Sequence, residues 1–186
     1  MNDCKIILIG GYCATGKSTF SRKLAEHLKI PCFNKDVIKE VIGDGFGAEN
    51  TDVYNKNSAV TFSLMLHIAE RFLQAGKPCI LESNFKLSES EQLKELLDKY
   101  NAECLTFLFK GELAVLYKRY AEREKTERHW VHLTTGENRE MFINWHNYDL
   151  NKISIGKAIY VDATDFLTIN YEELFNKAEC FIQGDN

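Results

Sequence analysis

Apolar residues in this chain fall into two kinds of pattern. Short runs without alternation, Ile6–Ile9, Cys79–Leu81 and the stretch from Cys104 to Phe109, read as strands covered on both faces. Elsewhere apolar residues recur at spacings of three and four: Phe20, Leu24 and Leu28; Phe62, Met65, Leu66, Ala69 and Leu73; Leu93, Leu96, Leu97 and Tyr100. That spacing predicts helices with one buried stripe. Pro31 ends the first of these segments and Gly76 stops the second. Pro78 stands at a strand start, where a missing N–H matters least. Cys32–Asn34 and Ala158–Val161 are two further short strands. Val37, Val41 and Ile42 form a short helix, and Gly43, Gly45 and Gly47 mark a flexible loop after it. Ser88 with Glu91, and Asn170 with Glu173, have the spacing of helix N-terminal caps. Helices are also expected from Leu113 to about Arg128, from Glu137 to His146, and over the last segment carrying Leu174, Phe175 and Ala178.

Strand and helix therefore alternate about five times. Such alternation predicts an α/β domain of three layers with a five-stranded parallel sheet. Right-handed crossovers then bring the ligand site to the carboxyl ends of the strands. At 186 residues the chain is one domain, residues 1–186, large enough to fill a core without staples. Apolar residues make up 45% and charged residues 27%, as in ordinary soluble globules. The formal charge of -4 offers no broad basic face, so duplex nucleic acid is not the expected partner. The six cysteines show no CxxC pair, which suits buried thiols in a reducing compartment. No leader pattern precedes the first strand and no apolar stretch approaches about 20 residues, so the expectation is a cytoplasmic monomer or small homo-oligomer that does not enter a membrane.

Chemistry enters just after the first strand. Residues Gly11–Ser18 read G-Y-C-A-T-G-K-S, a complete phosphate-loop motif between a strand and a helix. Glycines at Gly11 and Gly16 let the chain wrap closely. The N–H groups of Tyr12, Cys13, Ala14 and Thr15 belong to the cradle for a polyphosphate. Lys17 is expected to reach the β- and γ-phosphates of ATP, and the Ser18 hydroxyl to bind Mg²⁺. The Thr19 hydroxyl adds to the loop or simply occupies the first helical turn.

The other candidates lie after the strands. Asp36, after the second strand in N-K-D, either caps the next helix or takes the proton of an acceptor hydroxyl, and the two roles are compatible. Glu82 ends the third strand and is a candidate for Mg²⁺ or its water, and Asn84 for substrate or a turn. Lys118, Arg119, Arg123, Lys125 and Arg128 crowd one charged stretch. It reads as a helical lid over about 117–136 whose arginines clamp phosphates. The bland reading is a solvated helix laced with ion pairs. His129 and His132 flank Trp130 and Val131, without a third ligand that would make a zinc site. Trp145 reads as a core residue, and His146 as ordinary packing or surface. Asp162 and Thr164, after the last strand, lie where a nucleotide base sits in this topology. The slot beside Tyr54–Ala75, with Lys35, Lys39 and Asn55, is the expected acceptor side.

Together the phosphate loop, N-K-D-V-I-K-E, I-L-E-S-N-F, Y-K-R-Y-A-E-R-E…R-H-W-V-H and V-D-A-T-D-F resemble the small kinase-like proteins of the zeta-toxin and chloramphenicol-phosphotransferase type. Polynucleotide 5′-kinase domains are a related comparison. The resemblance spans most of the chain. It implies a P-loop NTPase fold, ATP and Mg²⁺ as cofactors, Asp36 at the acceptor hydroxyl, and Arg119, Arg123 and Arg128 at the phosphates. The implied activity is transfer of the γ-phosphate to a hydroxyl of a small molecule or nucleotide-type acceptor. The alternatives are a nucleotide-binding regulatory protein with weak hydrolysis, or a toxin-like sugar-nucleotide kinase. Leu81–Glu82–Ser83 departs from the paired acids that end the corresponding strand of oligomeric ATPases.

Overall fold

The computed structural model describes residues 4–47, 50–125, 129–132 and 138–184. Five strands form one sheet: β1 (Lys5–Gly11), β2 (Cys32–Asn34), β3 (Cys79–Glu82), β4 (Glu103–Lys110) and β5 (Lys157–Asp162). Their order is β2-β3-β1-β4-β5 and every pairing is parallel. β1 is therefore central, which explains its unbroken apolar run. Its alternate side chains feed two separate cores. Ile6 and Leu8 join Met65, Leu81 and Leu93 on one face; Ile7 and Ile9 join Phe20, Leu24 and Phe107 on the other. Each such buried side chain contributes about 1.5–3 kcal/mol.

The first face is covered by α3 (Thr51–Gln74) and α4 (Leu87–Lys99), the second by α1 (Lys17–Leu28) and α7 (Tyr171–Gln183). α2 (Lys35–Phe46) packs on α3, and α5 (Leu113–Glu124) on α6 (Arg139–Trp145). This is the expected three-layer α/β architecture. Among the described residues no helix is long and apolar enough to cross a membrane.

Local readings shift in two places and hold in a third. Gly43 and Gly45 lie inside α2, not in a loop. A Cβ on Gly43 would stand 2.3 Å from Val131 Cγ2, so the glycine serves a close approach of another segment. The N-terminus of α4 is held by Glu89, whose Oε2 accepts from the Lys86 N–H at 3.1 Å; the Ser88–Glu91 spacing is not used as the cap. Asn170 does cap α7, accepting from the Glu173 N–H at 3.1 Å.

Candidate active site

The phosphate loop leaves β1 through Gly11, at φ 112°, where an added Cβ would lie 2.0 Å from the Phe109 carbonyl oxygen. Only glycine fits there. Gly16, at φ 82°, is the N-cap of α1 and supplies no side-chain cap. The first N–H groups of α1 thus keep their capacity for an anion. Tyr12 O closes the loop from inside, accepting from Thr15 Oγ1 at 2.7 Å and from Lys17 Nζ at 2.5 Å. Lys17 is only 6% exposed. Burial lowers its pKa, against the opposing pull of Cys13, Glu82 and Asp36, and Arg123 lowers it further. Ser18 and Thr19 are exposed on the first turn of α1.

Parallel pairing sets the next residues side by side. Glu82 is in register with Ile9 on one side and Asn34 on the other. The Asn34 amide uses both ends. Its Nδ2 donates to Glu82 Oε2 and, at 3.3 Å, to Ser18 Oγ, while its Oδ1 caps α2 by accepting from the Val37 N–H at 3.1 Å. Glu82 is 5% exposed. Burial pushes its carboxyl up to about 7; Lys17 opposes this, Asp36 adds to it, and Ser18 and Arg123 oppose it. The Ser18 hydroxyl and the Glu82 carboxylate are hard oxygen donors. They fit Mg²⁺, which takes one or two protein oxygens and completes its shell from phosphates and water. Among the described residues no group of three or more His, Cys, Asp or Glu could hold a metal alone.

Asp36 lies in the first turn of α2, with its side chain 65% exposed and 3.3 Å from Lys39 Nζ. The crowding of nearby atoms acts to raise its pKa, but Lys39, His132 and Lys17 together hold it below the usual carboxylate range. The cap of α2 is Asn34, so Asp36 is relieved of that task. Lys39 is buried, with Nζ 3.3 Å from the Tyr54 hydroxyl and over the Tyr54 ring. Lys35 is paired with Glu89 in a buried bridge between α2 and α4, a structural use of a residue expected at the acceptor slot. Asn55 is exposed on α3.

The arginines of α5 divide. Arg119 donates to Ala163 O at 2.5 Å and Thr164 O at 2.8 Å, and its guanidinium stacks 3.8 Å over the Phe166 ring. It therefore holds the loop after β5, beside Gly16, whose added Cβ would lie 3.3 Å from Phe166. Arg123, one turn on, acts electrostatically on both Lys17 and Glu82. Arg128 lies outside the described residues, as do positions 126–127 and 133–136 of the expected lid over about 117–136.

Residues 129–132 dock on α2. His129 Nε2 is 3.2 Å and Trp130 Nε1 also 3.2 Å from Asp44 Oδ1, His132 Nε2 is 2.8 Å from Glu40, and Val131 is buried against Gly43. The two histidines thus serve separate carboxylates of one helix. On the β5 side, Asp162 Oδ1 accepts from the Thr164 N–H at 2.8 Å, and Thr164 Oγ1 accepts from the Glu112 N–H at 2.9 Å. The bonds from Thr164 hold the Asp162 carboxyl below its usual range. Both residues shape this loop.

Three contributors do not stand out along the chain. Asn34 reads only as a strand end, and Phe166 carries no signal of its own. His146 is 4% exposed, while Trp145, expected in the core, is 45% exposed. Phe142 and His146, four apart, share the inward face of the α6 segment and make ring contact at 4.3 Å; that spacing is the signal for the pair. His146 Nε2 accepts from the Cys13 N–H at 3.0 Å, and Cys13 Sγ is 3.0 Å from Asn84 Nδ2.

The chain resembles several solved structures along nearly its whole length. A protein described as a "putative kinase" from Chloroflexus aurantiacus is 24% identical, with 95% of this chain and 97% of that chain covered and a TM-score of 0.82. A gluconokinase from Sinorhizobium meliloti is 15% identical, with 98% and 94% covered and a TM-score of 0.61. Kti12 from Chaetomium thermophilum, in complex with ADP-AlF3, is 15% identical, with 95% and 98% covered and a TM-score of 0.66. At these identities the likeness establishes the P-loop kinase fold. Comparison with curated proteins gives no significant match. The family model described as AAA domain (AAA_33) matches residues 6–141, from β1 into α6, and the chain belongs to that family.

Proposed function

We propose that this protein is an ATP-dependent phosphotransferase that moves the γ-phosphate to a hydroxyl of a small molecule or nucleotide-type acceptor. The observation that carries the reading is the placement of Asp36. It is an ionised, solvent-open carboxylate within electrostatic reach of Lys17, which also feels Glu82 and Arg123. A carboxylate so placed is suited to take the proton of an acceptor hydroxyl beside the phosphates that Lys17 binds.

Each group of residues has its own task in this reading. The N–H groups of Ala14 and Thr15 and the start of α1 bind the polyphosphate; the Tyr12 and Cys13 N–H groups, expected in the cradle, are used instead on Phe109 O at 2.8 Å and on His146 Nε2 at 3.0 Å. Lys17 exchanges its bond to Tyr12 O for the β- and γ-oxygens. Arg123 adds positive charge over the same oxygens, and the lid arginine Arg128 belongs with it in this proposal. The Arg119–Phe166 stack, with Asp162 and Thr164, frames the base. Asp36 accepts the proton of the acceptor hydroxyl as the new oxygen–phosphorus bond forms. The bond from the γ-phosphorus to the bridging oxygen breaks, and that oxygen leaves with ADP. Ser18 and Glu82 would hold Mg²⁺, which neutralises the β- and γ-oxygens when bound. The resemblance to zeta-toxin and chloramphenicol-phosphotransferase kinases belongs to the same proposal. It rests on N-K-D at the start of α2 and on R-H-W-V-H, part of which docks there.

The test is Asp36→Asn with a panel of alcohols and phosphorylated alcohols, following ³¹P transfer and ATP affinity together. Transfer is expected to fall at least about 100-fold, the reach of general base catalysis, while ATP affinity stays within about threefold. Full transfer by the variant overturns the role of Asp36. ATP binding without transfer to any acceptor favours the regulatory reading.

A further inference from the structure

His146 has no place in the transfer chemistry, yet it is buried directly against the phosphate loop. Its hydrogen bonds settle its chemical form. Nδ1 is 2.7 Å from the Phe142 carbonyl oxygen, which can only accept, so Nδ1 carries the proton. Nε2 is then a lone-pair acceptor, and the Cys13 N–H donates to it at 3.0 Å. The ring is wedged between Phe142 and Tyr12, at centroid distances of 4.3 and 5.1 Å. Neither end can rotate without losing a buried bond.

We infer that His146 is a positioning residue for the phosphate loop, its neutral imidazole holding the Cys13 amide so that the loop keeps its nucleotide-binding shape before a nucleotide arrives. The same bond ties the loop to α6, the helix that comes after the lid region. This rests on the proposed nucleotide binding and deepens it. A backbone N–H shielded from water needs a partner. The Cys13 amide finds one in a side chain 133 positions away.

The inference has a charge corollary. A protonated ring would set an N–H donor against the Cys13 donor. The groups around the ring are Tyr12 and Cys13 of the loop, Lys17 of α1 and Phe142 of its own helix, with Tyr148 and Asp149 beyond Tyr12. Burial lowers the pKa of His146, the Phe142 bond opposes that, and the Lys17 charge lowers it further. The ring is therefore neutral at neutral pH. It gains a proton only below the ordinary histidine range, and the brace is lost there.

The experiment measures affinity for a fluorescent ATP analogue from pH 5 to 8 in the full chain, with His146→Ala, His146→Gln and Lys17→Ala. A glutamine carbonyl can reach the position of Nε2 and accept, but cannot titrate. At pH 7.5 His146→Ala is expected to bind about three- to tenfold more weakly, the worth of one net hydrogen bond, and His146→Gln within about twofold of the parent. Parental affinity is expected to fall toward pH 5 by a step that His146→Gln lacks. Equal or tighter binding by His146→Ala overturns the inference, as does a loss in His146→Gln as large as in His146→Ala. If His146→Ala fails to fold, by circular dichroism, His146→Gln and ¹⁵N imidazole shifts of the parent decide. A protonated Nε2 at pH 7 overturns the inference. Lys17→Ala separates the two readings: a parent that binds no nucleotide refutes nucleotide binding itself, and a Lys17→Ala that binds as well as the parent takes the nucleotide away from the phosphate loop and overturns the inference with it.

Discussion

Asn34 joins three parts of the site through one amide, and two substitutions separate its tasks. Asn34→Asp keeps an oxygen to cap α2 but removes the N–H groups that donate to Glu82 and Ser18. It also sets a second carboxylate against Glu82, which is buried and carries a carboxyl pushed up to about 7. The lost bond to a charged acceptor is worth about 1.5–3 kcal/mol. Repulsion adds to this only while Glu82 is ionised; a further unit of pKa costs about 1.4 kcal/mol. The expected loss in stability is therefore about 3–4 kcal/mol at pH 8.5, shrinking to about 1–2 kcal/mol at pH 6, where Glu82 can take a proton and donate it. Asn34→Ala loses the cap and the donor but adds no charge, so about 2–4 kcal/mol is lost with much less pH dependence. Urea unfolding at both pH values, with and without Mg²⁺, measures this. Mg²⁺ should recover part of the loss in Asn34→Asp at pH 8.5 and little in Asn34→Ala. Equal stability of Asn34→Asp and the parent at pH 8.5 would refute the reasoning, because the amide would then not be supporting Glu82.

Three further outcomes are expected. Glu82→Gln should stabilise the metal-free protein at pH 8 by on the order of 2–3 kcal/mol, and much less at pH 4.5. The sign comes from a folded carboxyl near 7 against an ordinary value of 4.5: between those values the native state holds a proton that the unfolded state has lost, so stability falls as pH rises through that window. A pH-independent difference in urea midpoints would contradict it. Gly43→Ala gains roughly 1 kcal/mol of helix propensity, but its Cβ would stand 2.3 Å from Val131 Cγ2. Residues 129–132 should therefore leave α2 while global stability changes little, seen as faster amide exchange at His132; unchanged exchange would count against the docking. Arg119→Lys loses the fork that spans Ala163 O and Thr164 O and the flat stack on Phe166. ATP affinity by calorimetry should drop about tenfold, and an unchanged affinity would remove Arg119 from the base site.

The alternation of elements, the central place of an unalternated β1, the phosphate loop and the Asn170 cap are all legible along the chain. Their causes are local: burial on both faces, a glycine at positive φ, a cap oxygen three residues from its donor. Asp36 and Glu82 are also legible as candidates, because parallel strands end on one edge and the residues at each strand's carboxyl end must meet there. The work of those residues depends on partners far off in sequence. Arg119 reads as a phosphate clamp until its guanidinium meets carbonyls 44 and 45 positions away. Gly43 reads as a loop breaker until Val131 packs on it, and His132 has no assigned partner until Glu40, 92 positions back, takes it. Trp145 and His146 exchange places because a phase error of one residue on a short helix turns a different side chain inward. Hydrophobic periodicity is a sum over many residues and survives such errors. A hydrogen bond between two named side chains depends on a single juxtaposition, and only the tertiary structure decides it.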